Sequence, residues 1–196
     1  MKHKMKHKMG KVLIFLGLLF ILIAVSMLVQ KHFIEKEANS IIKKNGEKLK
    51  EQLDGENVSG SEVILIDNMA YMGILRFEKS NMEIPVLSKY KFEDLDISPC
   101  IFSGSYKDDT LVIAGHNYKR HFRCLTELEE NDKVDLITCD GTIHEYYVIN
   151  TELVNPTDSV SAKELVEKEE DDEWDMTLFT CNYNGNLRFV VRCKKI

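Results

Sequence analysis

The stretch Thr177-Leu178-Phe179-Thr180-Cys181-Asn182-Tyr183-Asn184-Gly185-Asn186-Leu187-Arg188-Phe189-Val190-Val191-Arg192 reads as a β-hairpin. An apolar strand ends at Cys181, a polar turn follows through Asn182, Asn184, Gly185 and Asn186, and a second strand starts at Leu187. Such a hairpin sets the inner ends of its strands side by side, so Cys181 and Arg188 become neighbours. A thiol attacks carbonyl carbon as thiolate, and a nearby guanidinium stabilises both the thiolate and a later oxyanion. Packing alone is the usual role of a cysteine in an apolar strand, but here it stands at the strand end, against a polar turn.

A proton carrier is needed beside such a pair. Among the six histidines, His3 and His7 lie in a lysine-rich N-terminal tail and His32 adjoins an apolar run. His116 stands in Gly115-His116-Asn117, just beyond the apolar stretch Thr110 to Ala114, and strand ends are where loop-borne side chains converge. His144 reads as a surface residue beside Glu145. His121 with His116 and Cys124 fits no common zinc spacing, so no metal site is expected. Arg192 lies four residues beyond Arg188 on the same strand face; it reads as an exposed charge.

Charge is unevenly spread. The first eleven residues hold five of the 26 basic side chains and no acid, which leaves 21 basic against 32 acidic in the rest of the chain. That balance speaks against nucleic-acid binding. Residues 12–29 form an uncharged apolar run that spans roughly 27 Å as a helix, close to the ~30 Å of a bilayer core. The lysines before it predict a cytoplasmic N-terminus for residues 1–11 and an extracytoplasmic remainder, a single-pass protein of the cell membrane. A cleaved signal peptide with Ala24 and Ser26 at the cut is the competing reading; the length of the run favours an anchor. Five cysteines in an exported chain require an unpaired one, the place reserved for Cys181. The other four, Cys100, Cys124, Cys139 and Cys193, read as buried free thiols.

Residues 30–60 read as a polar helical stalk ending near Asp54-Gly55 and a soft linker through Ser59-Gly60-Ser61, either a spacer or a helix packed on the domain that follows. From 61 to 196 the signals are short strands: Tyr71 to Phe77, Glu83 to Val86 with Pro85 marking an edge, Thr110 to Ala114 buried on both faces, and Val134 to Cys139 joined to Thr142 to Val154 by Asp140-Gly141. Asp135 between Val134 and Leu136 gives that strand a wet face. Ser161 to Glu170 reads as a short helix with Ser161 as N-cap and Glu164 three positions later. The expected class is mostly β, an antiparallel barrel or sandwich with short helices.

Thr177-Leu178-Phe179-Thr180-Cys181 resembles the Thr-Leu-x-Thr-Cys signature of sortases, and Gly115-His116-Asn117 and Arg188 before Phe189-Val190-Val191 match the family's other landmarks in the same order. The resemblance covers roughly residues 70–196. It implies an eight-stranded β-barrel behind a transmembrane helix, with residues 61–196 as catalytic domain. It further implies a cysteine transpeptidase of a Gram-positive-type cell wall, in which Cys181 is nucleophile, His116 the proton carrier and Arg188 the oxyanion or substrate donor. Thr180 and Asn117 are secondary positioning candidates. The implied partners are secreted proteins with a C-terminal sorting signal and an amine acceptor such as a peptidoglycan precursor. No cofactor is implied. The acidic run Glu167 to Asp175 reads as a solvated loop; calcium binding, as in some sortases, and preference for a basic substrate flank are its other readings, but no calcium-loop spacing is present. A Cys-His peptidase or amidase using water, and a non-catalytic anchored binding domain, are the alternatives.

Overall fold

In the computed structural model, which describes residues 2–55, 62–182 and 184–196, the short alternating and apolar runs become nine strands. They are β1 (Ile64–Ile66), β2 (Met69–Phe77), β3 (Met82–Leu87), β4 (Cys100–Ser103), β5 (Leu111–Ala114), β6 (Lys133–Thr138), β7 (Ile143–Val154), β8 (Met176–Cys181) and β9 (Arg188–Lys195). Their order is β1-β2-β3-β4-β5-β8-β9-β7-β6, and β6 returns to pair with β2, from Gly73 opposite Thr138 to Phe77 opposite Val134. Eight strands thus close an eight-stranded barrel, which leaves β1 as a short addition at the start of β2. Gly73 sits where a Cβ would come within 2.2 Å of the Ile137 carbonyl oxygen, so this closure requires glycine.

The chain divides into two compact units, Met1–Glu37 and Ala38–Ile196. Helix α1 (Lys2–Leu53) supplies all of the described part of the first. Its apolar side chains, among them Leu13, Phe20 and Leu28, are exposed, and the helix is long and apolar enough to cross a membrane. Within the second unit the last turns of α1 bury Ala38, Ile42, Asn45 and Leu49, a helical face. Asn45 Nδ2 donates to Tyr71 Oη at 2.9 Å. Residues 38–53 are therefore packed helix, the second of the two alternatives the sequence left open; Ser59-Gly60-Ser61 lie outside the described residues.

The barrel is mostly antiparallel, with parallel pairs β3–β4 and β5–β8. Strand β5 is buried on both faces, as its sequence suggests: Leu111 and Ile113 join one core cluster with Leu75, Phe122 and Leu178, while Val112 and Ala114 join another with Tyr71, Phe179 and Val190. Pro85 pairs with Ile74 on one side, and β3 meets β4 only at Leu87, which leaves Pro85 at an edge. Gly141 takes φ +83° in the β6–β7 turn, the conformation that Asp-Gly favours.

Three local readings need correction. Asp135 does not face water: it is buried, with Arg76 Nη1 from the facing position on β2 at 3.7 Å and Lys133 Nζ at 3.8 Å, long side chains that cover it although Lys133 and Ile137 on the same face stay half-buried. The short helix, α2, runs Ser159–Val166 rather than 161–170; the Asp158 carbonyl accepts from Ala162 N, so the helix opens two residues before Ser161. His144 is half-buried, its ring 4.9 Å from that of Tyr106.

His121 is wholly buried, and neither ring nitrogen meets a hydrogen-bond partner among the described residues. Burial pushes its pKa from 6.5 down to about 3, with His116 adding a smaller push in the same direction. In the unfolded chain this imidazole takes a proton below pH 6.5, whereas in the fold it stays neutral until about pH 3. Its contribution to stability is therefore complete above pH 6.5 and is lost as the pH falls, by up to ~1.4 kcal/mol per pH unit. Urea unfolding of the full chain in detergent micelles at pH 6.5 and 4.5 should show the parent losing roughly 2 kcal/mol more than His121→Leu. Equal losses would contradict a buried neutral imidazole.

Candidate active site

Strands β5 and β8 run parallel with Ala114 opposite Phe179, and Gly115 N donates to Phe179 O at 3.1 Å. Two residues beyond that register stand His116 and Cys181, at the same end of the barrel. Strand β9 returns antiparallel beside β8 with Arg188 opposite Cys181. Three adjacent strands thus deliver an imidazole, a thiol and a guanidinium to one edge. Gly115 permits the approach, since a Cβ there would lie 2.8 Å from the Phe122 ring and 3.1 Å from Pro99.

His116, Cys181 and Arg188 line one cavity of about 330 Å³. Its other walls are mainly apolar, with Leu95, Phe102, Phe179, Leu165 and Val166 among them, from the segment before β4, from β4 and β8, and from α2. Phe102 packs edge-on against both Tyr90, at 4.9 Å, and Phe179, at 5.4 Å. An extended peptide with apolar side chains would find contact there while its backbone met the polar rim.

Cys181 is the half-exposed thiol of the five; the other four are buried, and all five are free. Burial raises the thiol pKa of Cys100 and of Cys124 to about 12, that of Cys139 to about 11 and that of Cys193 further still, so these four remain protonated near neutrality. The cysteine open to solvent is the one at the strand end.

His116 is about one-quarter exposed, with Nε2 3.3 Å from Asp96 Oδ1. Burial lowers its pKa, and the Asp96 carboxylate opposes that fall. Asn117 Nδ2 donates to the Cys181 carbonyl at 3.1 Å, tying the loop after β5 to the end of β8. Thr180 is buried and lines the cavity; its Oγ1 meets no partner among the described residues. Arg188 Nη1 donates to Gly185 O at 3.3 Å and Leu187 O at 3.4 Å, which holds the guanidinium over its own turn. Gly185 takes φ +76° in that turn, and Asn182 exchanges backbone hydrogen bonds with Leu187 and Gly185.

Arg192 is buried, not an exposed charge. Its Nη1 donates to Thr177 Oγ1 at 2.8 Å and Leu165 O at 3.3 Å, its Nη2 to Glu164 O at 2.8 Å, and the guanidinium lies 5.0 Å from the Trp174 ring centre. It satisfies carbonyls at the C-terminal end of α2, as a cation does best there, and so fixes the helix that walls the cavity. Asp96 carries no sequence signal: its place beside His116 depends on a 3-10 turn (Phe92–Asp96) with no motif of its own.

The acidic run is partly structural. Asp175 is buried and bonded to Lys168 Nζ, Lys194 Nζ and Lys195 N, and these partners hold its carboxyl below the usual range although burial pushes the other way. Glu169, Asp172 and Glu173 border a larger cavity of about 630 Å³ with Glu152, Trp174 and Arg192. No group of three or more His, Cys, Asp or Glu side chains among the described residues is disposed to hold a metal ion.

Comparison with known proteins bears on the family and the fold. The Sortase domain family model matches residues 75–196. Sortase D of Bacillus subtilis (strain 168) is 30% identical over 132 residues, which make up 63% of this chain and 63% of the relative, less than two thirds of its length. Among solved structures, a Sortase D5 transpeptidase of Clostridium perfringens superposes with a TM-score of 0.62 at 22% identity, over 80% of this chain and 99% of that one. A Clostridium perfringens sortase C bearing the C-terminal cell wall sorting motif superposes with a TM-score of 0.56 at 18% identity, over 82% of this chain and 90% of that one. At these identities the structural likenesses speak to the fold.

Proposed function

This chain belongs to the sortase family, and from that premise we propose that it is a membrane-anchored cysteine transpeptidase acting on secreted proteins that carry a C-terminal sorting motif. Residues 12–29 are its anchor, residues 1–11 its cytoplasmic tail and residues 61–196 its catalytic domain on the outer side of the membrane. The observation that carries the reading is the cavity shared by Cys181, His116 and Arg188, with an apolar wall beside a polar rim.

The Cys181 thiolate attacks the scissile carbonyl of the motif, and a C–S bond forms as the C–N bond breaks. His116 gives a proton to the departing amine, leaving a thioester. An acceptor amine, from a cell-wall precursor, then attacks the thioester; His116 takes its proton and the thiolate is regenerated. Arg188, turned from its loop carbonyls toward the substrate, stabilises the oxyanion in both steps. Thr180 and Asn117 hold the end of β8 and the substrate in place.

The acceptor decides between this and hydrolysis. Full-length protein in detergent micelles is incubated with a fluorophore-quencher peptide carrying a C-terminal cell wall sorting motif, with and without hydroxylamine. The expected product is the hydroxamate whenever hydroxylamine is present. Carboxylate alone under both conditions would make the protein a peptidase, and no cleavage beyond that of a Cys181→Ala control would make it a binding domain.

A further inference from the structure

We propose that Asp96 is a positioning residue for His116: its carboxylate, together with Tyr118, fixes the orientation and the proton-bearing nitrogen of the imidazole. The inference rests on the proposed role of His116 as proton carrier. Three contacts carry it. His116 Nε2 lies 3.3 Å from Asp96 Oδ1. Tyr118 Oη donates to the same oxygen at 3.4 Å, and the Tyr118 ring lies against the imidazole with centroids 4.8 Å apart and planes 32° from parallel. The backbone is held as well, since Phe122 N donates to His116 O at 3.0 Å.

These contacts have a chemical consequence. An ionised carboxylate only accepts hydrogen bonds, so the nitrogen facing Asp96 carries the proton and Nδ1 keeps the lone pair of the neutral ring. A ring that spun freely would present either nitrogen to the reacting atoms. Asp96 and the stacked Tyr118 remove that freedom. The carboxylate also opposes the loss of basicity that burial imposes on His116, so the ring can accept a proton from the incoming amine as well as give one to the leaving amine. The other titratable or charged groups around the imidazole are Tyr90, Cys181 and Arg188 along the cavity, Tyr118, and His121, whose ring lies 5.3 Å from that of Tyr118. Among the groups around His116, Asp96 is the carboxylate in contact with it. Asp96 is itself more than half exposed, so its replacement tests the ring without opening the core.

The test uses full-length protein in micelles with labelled histidine, the His116 resonance being the one missing from His116→Gln. Asp96→Asn should lower the titration midpoint of His116. It should also reduce kcat for transfer from the sorting-motif peptide to hydroxylamine roughly tenfold, part of the ~10²–10⁴ that general acid–base catalysis supplies, with KM little changed. The limb of the pH–rate profile set by His116 should shift in the same direction as the resonance, and Asp96→Glu should restore part of both. A His116 midpoint unmoved in Asp96→Asn overturns the proposal. So does a midpoint that moves while kcat and the pH limb stay as in the parent. Should His116→Gln itself retain full activity, the reading of His116 as proton carrier has failed, whatever the resonance shows.

Discussion

Cys181→Ala should lower acyl transfer from a sorting-motif peptide by at least ~10³-fold and leave the urea unfolding midpoint almost unchanged. The other four thiols cannot substitute, because burial keeps them protonated and away from solvent. Truncating the half-exposed Cys181 at the end of β8 removes little packing, so loss of activity will not reflect loss of fold. Initial rates over a range of peptide concentrations, with unfolding curves on the same samples, separate the two. Residual activity within tenfold of the parent would remove Cys181 from the reaction.

Arg188→Ala carries the second largest effect, a fall in kcat of about 10²–10³-fold, the scale seen when one oxyanion donor is lost. Its Nη1 sits over the carbonyls of Gly185 and Leu187, so in the proposed mechanism the guanidinium exchanges those contacts for the substrate oxyanion. Arg188→Lys should therefore recover only part of the rate, since an ammonium brings the charge without the planar fork. If the guanidinium only braces its turn, Arg188→Ala will lower stability and leave kcat per folded molecule intact.

Arg192 shows why the two arginines must be told apart by structure. Both lie on one face of β9, and period-two alternation gives them the same direction. What separates them is what they face: the open cavity for Arg188, and the end of α2 with Trp174 for Arg192. Neither α2 nor Trp174 announces that contact in the sequence, because buried guanidinium pairs are set by tertiary packing.

Much of the candidate site was legible for a different reason. The hairpin around Asn182 to Leu187 is local, and a local turn fixes Cys181 against Arg188 before any long-range contact is known. His116 entered by its motif and by its position after an apolar strand; the parallel pairing of β5 with β8 that brings it to Cys181 is a non-local event without a local signal. Asp96 lay beyond reach for the same reason. The strands themselves followed from alternation and turn residues, with errors where a charged partner on the neighbouring strand covers an outward side chain, as Arg76 does Asp135, and where helix bounds depend on packing, as for α2. In the helix residues 38–53, the buried face mixes Asn45 with Ala38, Ile42 and Leu49, so its apolar stripe is too sparse to distinguish a packed helix from a spacer.

Mass spectrometry of the acid-quenched full chain after brief incubation with the sorting-motif peptide tests the central claim most directly. The account predicts an acyl adduct on the peptide containing Cys181, discharged by hydroxylamine and missing from Cys181→Ala. Turnover with no adduct at Cys181, or an adduct that persists in Cys181→Ala, would contradict it.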